Sequence, residues 1–222
     1  LADHPDHRLA AWIADPANAS GPNGVWARSW EHLRYTILAV VLASVIAIPL
    51  GYLVGHTGRG RGLVVASSGA ARALPTLGVV TLVGLVLGVG LIAPMVALVL
   101  LAVPSVLAGA YAGIEAIDPR TVDAARAMGM SEWQILTRVE MPLGLPLLIG
   151  GLRSATLQVV ATATLAAYVG AGGLGRFLFL GLKTQDYPQM LAAALLVVVL
   201  ALILEGVFEI SERVTARRLH TH

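Results

Sequence analysis

The feature that most constrains this chain is a set of long stretches without a formal charge. No Asp, Glu, Lys or Arg occurs from Ala73 to Ile114, in Tyr35–Gly55 ("YTILAVVLASVIAIPLGYLVG") or in Tyr187–Leu204. A further run starts after Pro142 and reaches Gly175, interrupted only by Arg153. A helix needs about 20 apolar residues to cross the hydrocarbon of a bilayer, so each stretch predicts a span. The longest is enough for two, divided near Leu91–Pro94 with Pro94 as the natural break, and Pro49 is expected to kink the first span. Composition agrees: 57% of the 222 residues are hydrophobic and 13% are charged, against about 25% charged in a soluble domain. A soluble protein of this length could not hide that much apolar surface. The fold class expected is an all-α membrane protein with about five transmembrane helices.

The remaining segments are placed around these spans. Residues 1–34 read as a polar external arm, 35–210 as the membrane domain with a cytoplasmic loop at 115–142, and 211–222 as a cytoplasmic tail. The arm lacks the short apolar core of a cleavable signal, so insertion is expected to rely on the first span. Leu63–Ala73, half apolar, reads as an amphipathic approach to the second span, with a sixth short crossing as the alternative. Arg59, Arg61, Arg72, Arg120, Arg126, Arg138, Arg213, Arg217 and Arg218 fall on one side of this arrangement. Arg8, Arg28, Arg34, Arg176 and Lys183 fall on the other. The larger basic set belongs inside, which gives an N-out, C-in orientation. The absence of cysteine excludes disulfides, thiolate metal sites and a cysteine nucleophile. Basic residues are scattered and the net charge is only +2, so there is no nucleic-acid footprint.

The most informative segment is "EAIDPRTVDAARAMGMSEWQILTRVEMPLGLP", Glu115–Pro146. It predicts two short helices. Asp118 caps the first, with Pro119 at its first position, and Gly129 supplies a left-handed stop. Ser131 and Gln134 form a capping box for the second, which Pro142 follows on the way into the next span. A plain linker would not need two well-capped helices.

This loop resembles the one carried by permease subunits of bacterial ABC importers, of pattern E-A-A-x3-G-x9-I-x-L-P. Asp123-Ala124-Ala125, Gly129, Val139, Met141 and Pro142 stand at those spacings, with Asp, Val and Met replacing Glu, Ile and Leu. The resemblance implies the type I importer permease fold in a bacterial cytoplasmic (inner) membrane. It also implies that the loop docks into a groove on a separate ATPase. Ala124 and Ala125 would then allow close approach, Gly129 would make the turn with Met128 beside it, and Trp133 would be the apolar anchor. The segments "ATATLAAYVGAGGLGRFLFLGL", "AGAYAGIEAIDP" and "ALPTLGVVTLVGLVLG" are similar to permeases for osmoprotectants of the glycine betaine, carnitine, choline or proline type. Permeases for methionine are the nearest alternative. Expected partners are ABC ATPase subunits, a second permease copy or a paralogous permease, an extracytoplasmic substrate-binding protein and the lipid bilayer. No cofactor is expected in this chain: ATP and Mg would belong to the ATPase. No catalytic residue is expected either.

Other candidates are weighed on their own residues. Gly170, Gly172 and Gly175 match the G-x-G-x-x-G of a dinucleotide turn, but a hydrophobic span precedes them. Asp186 comes too early and Glu205 too late for the acidic partner. Lys183-Thr184 ends like a phosphate loop, yet Leu182 replaces the required glycine. With Gly173, the glycines instead predict a bend at the outer end of the fourth span, near an outer gate, because broken helix is tolerated where backbone is buried or lines a cavity. Ser154, Gln158 and Thr162 lie four apart on one helical face; they suit either the wall of the solute path or hydroxyl-mediated helix packing. Arg153 is an intramembrane functional candidate, or sits at the headgroups or pairs with Glu140. Glu205 and Glu209 mark the cytoplasmic end of the last span. No carboxylate or histidine cluster resembles a metal or acid–base site. A stand-alone secondary transporter would show inverted repeats with intramembrane carboxylates, and neither is present in the sequence. A membrane enzyme would need a convergent catalytic set, which is also missing.

Overall fold

A computed structural model describes residues 5–220. Every regular element among them is helical. Two short helices, α1 (Pro5–Ala14) and α2 (Pro16–Ala19), precede α3 (Val25–Thr57), α4 (Arg61–Ala73), α5 (Thr76–Leu87) and α6 (Ile92–Glu115). The loop helices are α7 (Pro119–Ala127) and α8 (Glu132–Ile135). A π-turn, Leu136–Glu140, joins α8 to α9 (Met141–Ala166), which tightens into a 3₁₀ turn, Ala167–Val169. The chain ends with α10 (Gly175–Thr184) and α11 (Tyr187–His220).

Four helical segments are long and apolar enough to cross a membrane: Val25–Thr57, Ile92–Glu115, Glu132–Val169 and Tyr187–Arg217. The remaining expected span is α5. Its 12 residues rise only about 18 Å at 1.5 Å each, so it is the short member of the set. The break after α5 falls at Gly88–Leu91, where Gly88 and Gly90 take positive φ, and Pro94 lies inside the first turn of α6, where its missing N–H is harmless. Pro49, Pro104 and Pro146 lie within helices α3, α6 and α9. Leu63–Ala73 is helical, as an amphipathic approach requires, with Val64 buried and Leu63 and Val65 exposed.

Pro142 follows the second loop helix and leads into α9, without interrupting the helical run. The π-turn immediately before it widens the backbone ring, and the Met141 N–H reaches back to the Leu136 carbonyl. Proline normally breaks a helix by clashing with, and failing to bond, the carbonyl four residues earlier. A locally wider turn absorbs that conflict, so α8 and α9 form one continuous helical segment.

The chain forms two compact units. One comprises the residues up to Ala39 with Pro75–Val99 and Leu157–Leu204; the other comprises Val40–Leu74, Leu100–Thr156 and Glu205 onward. The first is built around buried His32, Thr36, Val80, Leu98, Val159, Val160 and Leu174. There the Gly90 N–H donates to the Val169 carbonyl at 3.2 Å, and Val169 lies where a side chain on Gly84 would go.

The second unit is held by small residues. A Cβ on Gly109 would lie 2.6 Å from the Gly151 Cα, and one on Gly113 would lie 2.5 Å from the Gly144 carbonyl oxygen. Helices α6 and α9 therefore touch backbone to backbone. Gly51 leaves room for the Ala110 side chain and Gly55 for that of Ile114, which brings α3 against α6. Close approach of this kind drives helix association in lipid, where no hydrophobic gradient is available.

Candidate functional site

The loop between α6 and α9 folds into a compact knuckle, each feature of which follows from local residues. The Asp118 carboxylate accepts the Arg120 N–H at 2.9 Å and so caps α7. Helix α7 ends in a Schellman turn. The Gly129 N–H donates to the Arg126 carbonyl at 2.9 Å and the Met130 N–H to the Ala125 carbonyl at 3.2 Å, with Gly129 at φ +83°. Ser131 and Gln134 close both halves of the capping box on α8.

On this frame the side chains separate into two sets. Met128 and Trp133 are 76% and 72% exposed, and Asp123 and Ala124 are exposed beside them. Ala125 and Ile135 are buried. The expectation that both alanines face outward therefore holds for Ala124 and not for Ala125, whose position in the last turn of α7 points it into its own chain. Pro142 is exposed on α9.

Charge knits the knuckle together. Arg126 donates to both carboxylate oxygens of Glu132, at 2.8 and 3.0 Å, and approaches Asp123 at 3.4 Å. The Glu132 hydrogen bond, reinforced by both carboxylates, pushes the Arg126 guanidinium further toward its charged form. Glu132 also lies 3.2 Å from His56 Nε2, while His56 Nδ1 lies 2.5 Å from the buried Glu140. Of the alternatives for Arg153, pairing with Glu140 is the one not formed. Arg153 pairs instead with Glu205 and Glu212 of α11. Glu205 is thus engaged within the protein rather than marking a solvated end, and only Glu209 keeps an exposed partner on its own helix, Arg213.

The second candidate region is the glycine segment. Helix α9 tightens at Ala167–Val169, the chain turns at Gly170 with φ +92°, and Gly173, at φ +80°, leads into α10. The predicted bend is present, and its backbone is buried from Ala171 to Gly175. Helix α3 holds it. The Glu31 carboxylate accepts the Gly173 N–H at 2.8 Å, the Tyr35 hydroxyl at 2.7 Å and Arg28 at 2.6 Å. It occupies the place where a Cβ on Gly172 would stand. His32, fully buried, has Nε2 2.9 Å from the Val160 carbonyl and accepts the Leu174 N–H on Nδ1 at 3.3 Å. These two partners select a neutral ring with its proton on Nε2. Gly175 packs directly on the Thr164 carbonyl.

Ser154, Gln158 and Thr162 differ in setting along α9. Ser154 is exposed, Gln158 half-buried and Thr162 buried. The Thr162 hydroxyl donates to the Gln158 carbonyl at 2.7 Å, and Thr156 and Thr164 likewise bond their own helix.

The residues missed from sequence are Glu31, His32 and His56. The first two lie in the segment read as a polar arm, yet α3 begins at Val25 and buries His32. A signal was available: "WEHLRYT" places Glu31 and Tyr35, and His32 and Thr36, one helical turn apart at the start of the apolar run.

Comparison with known proteins agrees with this geometry. The family described as "Binding-protein-dependent transport system inner membrane component" matches residues 47–217. The glycine betaine/carnitine/choline transport system permease protein OpuCB of Bacillus subtilis (strain 168) is 32% identical over 186 residues, 84% of this chain and 86% of its own. The carnitine transport permease protein OpuCB of Listeria monocytogenes is 33% identical, over 80% of this chain and 82% of its own. The osmoprotectant import permease protein OsmW of Salmonella typhimurium (strain LT2) is 32% identical, over 80% and 85%. In fold, the chain matches a chain of the inward-facing MetNI methionine ABC transporter with a TM-score of 0.73 at 24% identity, over 86% of this chain and 95% of that one. The capped knuckle, the long apolar helices and these likenesses together place the chain in the family of binding-protein-dependent transport system inner membrane components, as a multi-pass permease subunit.

Proposed function

We propose that this permease forms the membrane path of an ATP-driven importer for compatible solutes of the quaternary-ammonium class, such as glycine betaine, carnitine or choline. The supporting observation is the likeness over four-fifths or more of the chain to permeases named for those solutes. The methionine alternative draws on a structural likeness at 24% identity, a level that speaks for the fold alone. ATP and Mg would be bound by a separate ATPase, and the complete importer would include a second permease chain and an external binding protein. Cargo choice would sit largely with that binding protein, where aromatic cages hold quaternary ammonium by cation–π attraction.

The knuckle is the ATPase-docking element in this reading. Exposed Met128 and Trp133 on a rigid, doubly capped turn suit the burial of an apolar anchor in a partner's groove, with Asp123 and Ala124 at its rim. The glycine bend at Gly170–Gly175 serves the outer gate. Ser154, Gln158 and Thr162 supply the uncharged polar character of the path, suited to a zwitterion that must not be held tightly.

Uptake of labelled glycine betaine into vesicles containing the full importer tests the cargo. Competition by carnitine and choline, and none by methionine, is expected; the reverse pattern would overturn the assignment. Asp123→Lys with Ala124→Trp tests the docking element. ATP hydrolysis is expected to lose its link to uptake, and unchanged uptake with normal ATPase co-purification would remove the knuckle from that role.

A further inference from the structure

A histidine that no sequence motif picks out connects the knuckle to the first long helix. His56 lies at the C-terminal end of α3, with one ring nitrogen 2.5 Å from Glu140 and the other 3.2 Å from Glu132. Glu140 is 5% exposed and closes the π-turn at the base of α9. Glu132 opens α8 on the knuckle. An imidazole can donate to two carboxylates only when both ring nitrogens carry protons. A buried carboxylate is tolerated when a cation satisfies it, and removing that cation is strongly destabilising. The charges therefore alternate along one connected run: Asp123, Arg126, Glu132, His56, Glu140.

We propose that His56 is a positioning residue for energy coupling. Its doubly protonated ring pins the knuckle, through Glu132, and the base of α9, through Glu140, to the end of α3. The proposal rests on the docking role given to the knuckle and adds a second attachment. The knuckle is linked through its own chain to α6 and, by α8 running into α9, to α9; the pin adds a bond to α3. With it, displacement of the knuckle is delivered to α3 as well. Glu132 and Glu140 face the ring, and Arg126 is held on the far side of Glu132. At the same end of α3, Arg61 is paired with Glu115 at 2.9 Å.

The test uses the permease with its ATPase and binding protein in proteoliposomes, reading glycine betaine taken up per ATP hydrolysed. His56→Gln keeps the ring's approximate volume and one donor but no cation, and is expected to lower that ratio about tenfold, as loss of a buried charge partner warrants. His56→Arg, which restores a two-pronged cation, is expected to recover it to within about twofold. Glu140→Gln probes the pin from the other side and is expected to lower the ratio in the same direction. A wild-type ratio in His56→Gln, or failure of Arg to rescue, would each overturn the proposal. ATPase co-purification is expected to be unchanged in every His56 variant, whereas failure of the docking role itself appears as unchanged co-purification and coupling in Trp133→Ala.

Discussion

Two glycine turns in this molecule are built in opposite ways. The turn at Gly129 is exposed, and a Cβ there would meet nothing within 4 Å. It is held by the Schellman bonds and the Ser131–Gln134 box, all from residues close in sequence. The turn that starts at Gly170 is buried from Ala171 to Gly175 and held from far away in the chain, by Glu31 and His32 of α3. A Cβ on Gly172 would collide with the Glu31 carboxylate, and one on Gly173 would stand 3.0 Å from His32 Nδ1. The first turn needs glycine only for backbone angle. The second needs it for angle and for space.

The largest expected effect of testing that contrast comes from Gly172→Val. The Glu31 carboxylate must move, and three charge-assisted hydrogen bonds, each worth about 1.5–3 kcal/mol, are disturbed together. Uptake is expected to be abolished while the ATPase still co-purifies; loss of co-purification would make the bend a packing element for the whole assembly. Glu31→Ala leaves Gly173, Tyr35 and Arg28 without their acceptor and is expected to cost about 2–3 kcal/mol, read as a lowered thermal midpoint of the purified permease. An unchanged midpoint would mean that the distant clamp does not hold the second turn. Trp133→Ala, on the first turn, is expected to leave the midpoint unchanged and to weaken ATPase association by about 2 kcal/mol, measured by co-purification across protein concentration. The smallest effects belong to the backbone of that turn. Gly129→Ala and Ser131→Ala are each expected to cost about 1 kcal/mol, seen as faster amide exchange confined to α7 and α8. Exchange that spread into α9 would show that the knuckle is not locally held.

The same contrast explains what could be read from the residues. Asp118, Gly129, Ser131 and Gln134 act on neighbours one to four positions away, so their spacing alone predicted both loop helices and the turn between them. The long helices were legible because charge is excluded from hydrocarbon over a fixed length. The partners of Arg153 and Glu140 were not legible. Each carboxylate reaches its cation from another helix, and nothing in local spacing distinguishes Glu205 from Glu140 as a mate for Arg153. At Pro142 only part of the local structure was legible. Its helix-breaking geometry is local, but the π-turn that absorbs it is set by the five residues before it and by the burial of Glu140. The settings of Glu31 and His32 were not legible because a half-buried carboxylate and a buried imidazole become acceptable once bonded, and one bond to each comes from Gly173 or Leu174, more than a hundred residues later.

The contact of α6 with α9 has a consequence for motion. At Gly109–Gly151 and Gly113–Gly144 neither helix presents a side chain to the other. Interlocked side chains resist rotation and sliding because each knob must leave its hole. Two bare backbones offer smooth surfaces with no such teeth. When the permease passes between its open forms, this crossing can act as a bearing about which α6 and α9 turn without unpacking, and a methyl group at Gly109 or Gly151 would be grit in it.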